Sequence, residues 1–296
     1  MHVRRNHRSP FYGCSKALPA SGAALLAIVM VAGCGGSGGG GGAGAAPGTS
    51  TSTAAAVLGV HGCFGKDGSP SGFDHLVAAN CNVIDRAAFP QYLDQLPPGV
   101  KGMVWVGDYD NSTCDWQKSD DWIRSHVAAI AGHPAIATYF IADIPHFWDC
   151  PTAPDQMRAR SALIHSIDPG PPTLVSIEPS TGPIQGVNPF TPYVGTVDII
   201  GAERYPCTFK DGCVMSRIDD TIAALEQAKV PRYWAILQAF ADPTHRLPTP
   251  DELRAQLDHW RGSRMEGFLW FSWSFGTEPL DNHPDLVQVI AEENAS

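Results

Sequence analysis

Charged side chains are scarce in this chain: Asp, Glu, Lys and Arg make up 17% of 296 residues, and no acidic residue precedes Asp67. No apolar run is long enough to cross a bilayer comfortably. The best candidate, Ala23-Ala24-Leu25-Leu26-Ala27-Ile28-Val29-Met30-Val31, falls short of the roughly 20 residues a spanning helix needs. Cys-x2-Cys and His-Glu-x-x-His are both missing, which removes the spacings through which zinc is usually held. No Gly-x-Gly-x-x-Gly follows the first predicted strand and no P-loop lysine motif occurs, so nothing marks a nucleotide crevice. A basic stripe is lacking too, which argues against nucleic acid as a partner.

What the first 33 residues do hold is a basic start, Arg4, Arg5, Arg8 and Lys16, followed by the short apolar run. That order predicts an export signal. The run ends in Val31-Ala32-Gly33-Cys34, which resembles the lipobox of bacterial lipoproteins. The resemblance implies a lipidated Cys34 as the mature N-terminus and an envelope location outside the cytoplasm. An ordinary secreted protein is the alternative. Residues 34–56 follow as Gly, Ala, Ser and Thr with little else, a composition that cannot bury enough apolar surface to fold and predicts a flexible tether. The Gly-x-Ser-x-Gly at Gly35–Gly39 belongs to this low-complexity stretch, not to a strand–helix turn, and carries no nucleophile. Without the leader's four basic residues, 16 basic and 30 acidic side chains remain, a net charge of −14. A mature chain this acidic is a poor polyanion binder.

Six cysteines lie beyond Cys34: Cys63, Cys81, Cys114, Cys150, Cys207 and Cys213. An even number in an exported chain predicts three disulfides, with 15 possible pairings. From residue 57 to 296, short apolar runs alternate with helical patterns, the rhythm of parallel strands joined by helices. The predicted strands are 57–61, 81–84, 102–106, 136–142, 173–177, 197–202, 233–240 and 267–273. Eight strands in about 240 residues suit a single closed (β/α)8 TIM barrel; an open doubly wound sheet shares the alternation. Thr249-Pro250-Asp251-Glu252 predicts a capped helix start, and Thr152 with Asp155 a second cap. Gly182, Pro183, Gly186, Pro189 and Pro192 predict that the helix between strands five and six is short or missing. On a barrel the cysteines pair as Cys63–Cys81, Cys114–Cys150 and Cys207–Cys213.

Chemistry in this fold sits at the C-terminal ends of the strands. The polar residues expected there are His61, Asp108, Asp143, Glu178, Glu203, Gln238 and Asp242. Side-chain alternation groups Glu203 with Gly201 and Ile199, Glu178 with Ser176, Asp143 with Tyr139 and Ile141, and His61 with Gly59. Trp105, Trp148, Tyr205, Trp270 and Trp273 are close by in sequence. Crowded carboxylates acquire separated pKa values, so that one keeps a proton while another is ionised. Glycoside cleavage needs that combination, and aromatic faces stack on sugar rings.

Ile136-Ala137-Thr138-Tyr139-Phe140-Ile141-Ala142-Asp143-Ile144-Pro145 resembles the fourth strand of glycoside-hydrolase-like (β/α)8 barrels. Asp198-Ile199-Ile200-Gly201-Ala202-Glu203-Arg204-Tyr205-Pro206 is similar to their sixth. Leu237-Gln238-Ala239-Phe240 and Gly267-Phe268-Leu269-Trp270-Phe271-Ser272-Trp273 resemble the seventh and eighth. The likeness covers roughly residues 100–290. It implies a carbohydrate as substrate or ligand, with no cofactor and no metal. The chain departs from the pattern at three positions. Ile144 stands where the acid/base glutamate is expected, Glu203 where an aspartate is usual, and Gln238 where many retaining members carry the nucleophile. The expectation is a glycosidase using Asp143 and Glu203 as primary pair and Glu178 as third carboxylate, with Gln238, Trp270 and Tyr205 positioning the sugar. A barrel that binds carbohydrate without cleaving it is the rival, supported by Ile144.

Overall fold

The computed structural model describes residues 59–65, 73–179, 184 and 186–296. The expected signal, Cys34, the tether and positions 57–58 of the first predicted strand lie outside the described residues. Eight parallel strands close into a barrel: β1 Val60–Cys63, β2 Val83–Ala87, β3 Lys101–Trp105, β4 Ile136–Asp143, β5 Thr173–Ile177, β6 Ile199–Arg204, β7 Tyr233–Gln238 and β8 Gly267–Phe271. Each pairs with its sequence neighbours, and β1 closes on β8 through Val60 opposite Gly267. The closed barrel is thus present and the open sheet is not.

The helices are α1 Asp74–Ala78, α2 Pro90–Leu93, α3 Asp120–Ile130, α4 Ala153–His165, α5 Ser216–Gln227, α6 Pro250–Arg261 and α7 Pro284–Asn294. Between β5 and β6 the described residues hold only a 3-10 turn, Thr191–Tyr193, as the Gly and Pro content predicts. Tyr193 is buried there and its hydroxyl donates to the Pro145 carbonyl at 2.5 Å, so a side chain fills part of the space a helix would cover. Helix α6 starts as its sequence implies: Thr249 Oγ1 accepts from Glu252 N–H, Glu252 accepts from Thr249 N–H, and Leu253, Leu257 and Trp260 are buried. Thr152 precedes α4 but makes no side-chain cap; its hydroxyl reaches the Gln156 side chain instead.

Two apolar layers result. Met103, Phe140, Leu174, Ile199, Ile236 and Leu269 fill the barrel interior. A larger cluster lies between strands and helices and includes Tyr139, Ile141, Ile177, Leu237 and Trp260. Glycine makes the interior possible where strands crowd: a Cβ on Gly62 would fall 2.2 Å from Leu269 Cδ2 and 3.0 Å from the Val83 carbonyl. The three disulfides pair Cys63 with Cys81, Cys114 with Cys150, and Cys207 with Cys213. The first ties β1 to the approach of β2. The second joins the loops after β3 and β4. The third closes a small hairpin after β6, in which Gly212–Cys213 pairs with Cys207–Thr208.

Candidate active site

Three carboxylates converge at the C-terminal mouth on neighbouring strands. Asp143 ends β4, Glu178 follows β5, and Glu203 lies in β6. Ser176, inward on β5, binds the first of them: its hydroxyl donates to Asp143 Oδ1 at 2.5 Å. Asp143 and Glu203 are themselves in hydrogen-bonding contact. Two carboxylates that close oppose each other's ionisation, and burial raises both. Glu203 is 4% exposed, and burial, then the charges of Asp143 and Glu178, push its carboxyl well above the ordinary range. Tyr205 donates its hydroxyl to Glu203 Oε2 at 3.0 Å.

Asp143 faces inward by a route that alternation along β4 misses. Phe140 points into the barrel while Tyr139 and Ile141 point out, so Asp143 does not share a face with them. The β4–β5 register slips between Phe140 and Ala142: Phe140 is opposite Leu174, Ala142 opposite Val175 and Asp143 opposite Ser176. This bulge leaves Ile141 as an extra residue and resets the faces. Beyond it Ile144 adopts φ 43°, a left-handed conformation unusual for a β-branched residue. Its N–H lies 3.2 Å from both the Ser176 carbonyl and the Ser176 hydroxyl, and its carbonyl accepts from Asn111 Nδ2. Asn111 Oδ1 also accepts from His146 N–H, and Cys114–Cys150 holds the same two loops together.

Asp108, after β3, completes the acidic group. Its Oδ1 accepts the N–H groups of Asp143 (3.0 Å) and Tyr109 (2.8 Å). Burial, reinforced by the negative charges of Asp143 and Asp110, raises its pKa to about 6 despite those bonds. Burial also raises Glu178, opposed by the positive charges of His245 and Arg204. Asp242 is different: two backbone N–H groups and the His245 ring offset its burial, and its carboxylate stays below the usual range.

Aromatic rings line the same mouth. Trp105 packs on Phe140 with centroids 4.1 Å apart, and Tyr205 stacks on Phe271 at 6.0 Å. Trp148, in the loop after β4, stacks on His146 at 4.3 Å.

Four expected residues are placed elsewhere. His61 lies near the start of β1, opposite Phe268 at the start of β8, at the other end of the barrel; its Nδ1 contacts the Asn80 carbonyl at 2.7 Å. The inward positions of β1 are Val60, Gly62 and then Phe64 beyond it, so alternation counted from Gly59 selects the wrong face. Gln238 is fully buried and committed to the backbone: Oε1 accepts from Cys207 N–H at 2.9 Å, while Nε2 contacts the carbonyls of Cys207 (3.0 Å), Arg246 (2.9 Å) and Phe240 (3.3 Å). It clasps two loops and has no group left for a sugar. Trp270 points outward and donates to Asn294 Oδ1 on α7. Trp273 is buried, bonded to Asp281 and packed on His75. The residues that sequence reasoning passed over are Ser176, Phe271 and His245. The first two share inward parity with Glu178 and Leu269, a signal available in the sequence. His245 sits in a loop, where no periodicity exists to reveal it.

No family profile matches the sequence, and no curated protein does. Solved structures do match. A beta-glucuronidase of Ruminococcus gnavus superposes with TM-score 0.56 at 13% identity, over 79% of this chain and 50% of that one. A beta-galactosidase of the psychrophilic Marinomonas ef1 gives 0.57 at 10%, over 79% and 59%. A candidate alpha-L-fucosidase of Bacteroides thetaiotaomicron gives 0.55 at 12%, over 80% and 92%. The chain therefore spans about half of the first and three fifths of the second. Identities this low speak to architecture alone: the fold is the (β/α)8 barrel found in these glycoside hydrolases.

Proposed function

We propose that the chain is a glycoside hydrolase cleaving O-glycosidic bonds of a poly- or oligosaccharide outside the cytoplasm. The observation that carries this reading is the grouping of Asp143, Glu178 and Glu203 at neighbouring strand ends, beside partly exposed aromatic rings. A carboxyl held protonated near neutral pH is what a departing sugar oxygen requires. On this reading Asp143 and Glu203 act as one donor unit, and Glu178 is the second carboxylate; retaining pairs stand about 5–5.5 Å apart and inverting pairs about 6.5–9.5 Å. The proton passes to the glycosidic oxygen as its bond to the anomeric carbon breaks. Water adds its hydroxyl to that carbon either directly, its proton going to Glu178, or after a Glu178 adduct, its proton then returning to the pair. Trp105, Tyr205 and Phe271 offer faces for the sugar.

The three disulfides fit an oxidising compartment. We place the chain on the outer face of a membrane through a lipid at Cys34, with the tether giving the barrel, residues 57–296, its reach.

Ile144 in the place of a glutamate, and Gln238 spent on loop structure, favour the second reading, a carbohydrate-binding barrel without turnover. One experiment separates the two. Residues 57–296, expressed with disulfides formed, are screened on a glycan panel for new reducing ends and for retention. Hydrolysis predicts reducing ends that fall at least about 10²-fold in Glu203→Gln and Asp143→Asn. Retention without product, unaltered by either substitution, would establish the binder instead.

A further inference from the structure

Ile144 is left-handed, a conformation that a β-branched residue resists. Four non-glycine residues among those described have positive φ, Asn80, Cys114, Ile144 and Lys229, and of these Ile144 alone is β-branched. At φ 43° its Cβ crowds the following carbonyl, so the conformation persists only where neighbours impose it. Three neighbours do so. Before the turn, Ile144 N–H meets the Ser176 carbonyl and hydroxyl, each at 3.2 Å. Within it, the carbonyl of buried Pro145 accepts the Tyr193 hydroxyl. Across it lies the Asn111 amide: Nδ2 donates to the Ile144 carbonyl at 2.9 Å, and Oδ1 accepts from His146 N–H at 2.7 Å. One orientation of the amide satisfies both bonds, so the side chain acts as a strand partner for residues 144 and 146.

Asn111 is itself held in place. It lies in the turn of a small hairpin after β3, in which Tyr109–Asp110 pairs with Asp115–Trp116. Asp110 Oδ1 accepts the Ser112 N–H at 2.8 Å and the Ser112 hydroxyl at 2.6 Å, which fixes the turn. The Cys114–Cys150 disulfide and a bond from Gln156 Nε2 to the Cys114 carbonyl, 3.2 Å, fasten the hairpin to α4 and its approach. Asp143 immediately precedes Ile144. Its N–H is held by Asp108 Oδ1 at 3.0 Å, and its own Oδ1 accepts the Ser176 hydroxyl. The peptide joining Asp143 to Ile144 therefore turns with the φ of Ile144, and the carboxyl turns with it.

We propose that Asn111 is a positioning residue of this site: by clasping the turn it keeps Ile144 left-handed, and through Ile144 it holds the Asp143 carboxyl on Ser176 at the mouth. The assignment rests on the glycosidase reading given above. It also gives position 144 a task. Where the resemblance leads one to expect a glutamate, the residue serves the backbone, and the chemistry falls to the neighbour it orients.

The test combines Asn111→Ala with Ile144→Gly, since glycine takes a positive φ unaided. Carbon-13 carboxyl titration of the full chain labelled in aspartate follows Asp143, its signal assigned by its loss in Asp143→Asn. In Asn111→Ala the Asp143 midpoint is expected to move by about half a pH unit or more, and adding Ile144→Gly is expected to return it to within about 0.2 of wild type. On any glycan that wild type cleaves, kcat of Asn111→Ala is expected to fall about 10²-fold with KM little changed, and the double variant to recover most of that loss. An unmoved midpoint in folded Asn111→Ala overturns the proposal, as does a shift that Ile144→Gly leaves in place. Should Asn111→Ala not fold, a double variant that folds with the wild-type midpoint supports the proposal; one that also fails to fold, or titrates differently, overturns it. The expected midpoints in a chain that cleaves no glycan keep the clasp and remove the glycosidase reading. Cleavage by wild type with an unmoved midpoint in Asn111→Ala removes the clasp alone.

Discussion

Asp108 shows how a single buried carboxyl couples the site to stability. Its folded pKa of about 6 lies above the value near 3.9 expected in the unfolded chain. A raised acid favours the folded state while protonated: its contribution is full below about pH 4 and is lost as pH rises through 6. Asp108→Asn keeps an oxygen to accept the N–H groups of Asp143 and Tyr109 and removes the buried charge. The variant is therefore expected to gain on wild type as pH rises, by on the order of 1–2 kcal/mol at pH 8 relative to pH 4 after allowing for solvent screening. Thermal melts of both proteins at the two pH values measure it. An equal gap at pH 4 and pH 8 would mean that Asp108 is not desolvated as described. At this scale the sequence spoke clearly of the acids, because carboxylates at strand ends are legible by position. It misled on Gln238, Trp270 and Trp273. Each is polar or aromatic and at the right height, yet each has a structural partner that no local pattern discloses.

The elements were more legible than the residues. All eight strands were read from apolar runs bounded by turn residues, and the short β5–β6 connection, a 3-10 turn among the described residues, from its Gly and Pro content. Faces were harder. Counting by twos placed Glu178 and Glu203 with their inward neighbours, but it paired Asp143 with two outward residues because Ile141 is an extra residue in β4. It also failed for His61, since β1 extends to Cys63 and places that residue low in the barrel. The interior leaves no slack: on β1, Gly62 faces the Leu269 side chain and Val83 backbone. Gly62→Ala is expected to lower stability by about 1–3 kcal/mol through overpacking. Gly262→Ala, whose new methyl meets nothing nearer than 3.6 Å, is expected to stay within about 0.5 kcal/mol. Urea unfolding of the two variants gives the comparison, and equal stabilities would contradict the packing described.

For the molecule as a whole, composition predicts a leader and a tether, which lie outside the described residues, and simple counting gives the acidic balance of the rest. Among the described residues no helix is long and apolar enough to cross a membrane. The lipid proposed at Cys34 predicts retention at a membrane. Cys34→Ala is expected to shift the protein from the membrane pellet to the soluble or secreted fraction, with barrel stability unchanged. A variant that still sediments with membranes would refute the anchor.

Below the carboxylates, Phe140, Leu174, Ile199, Ile236 and Leu269 plug the barrel from wall to wall. A solid floor makes traffic one-sided. Whatever comes in must back out through the same door, and no polymer can thread through. On the proposed reading, a long chain would lie across the rim or bring one end to it. In either posture a departing fragment would leave by the side from which it came.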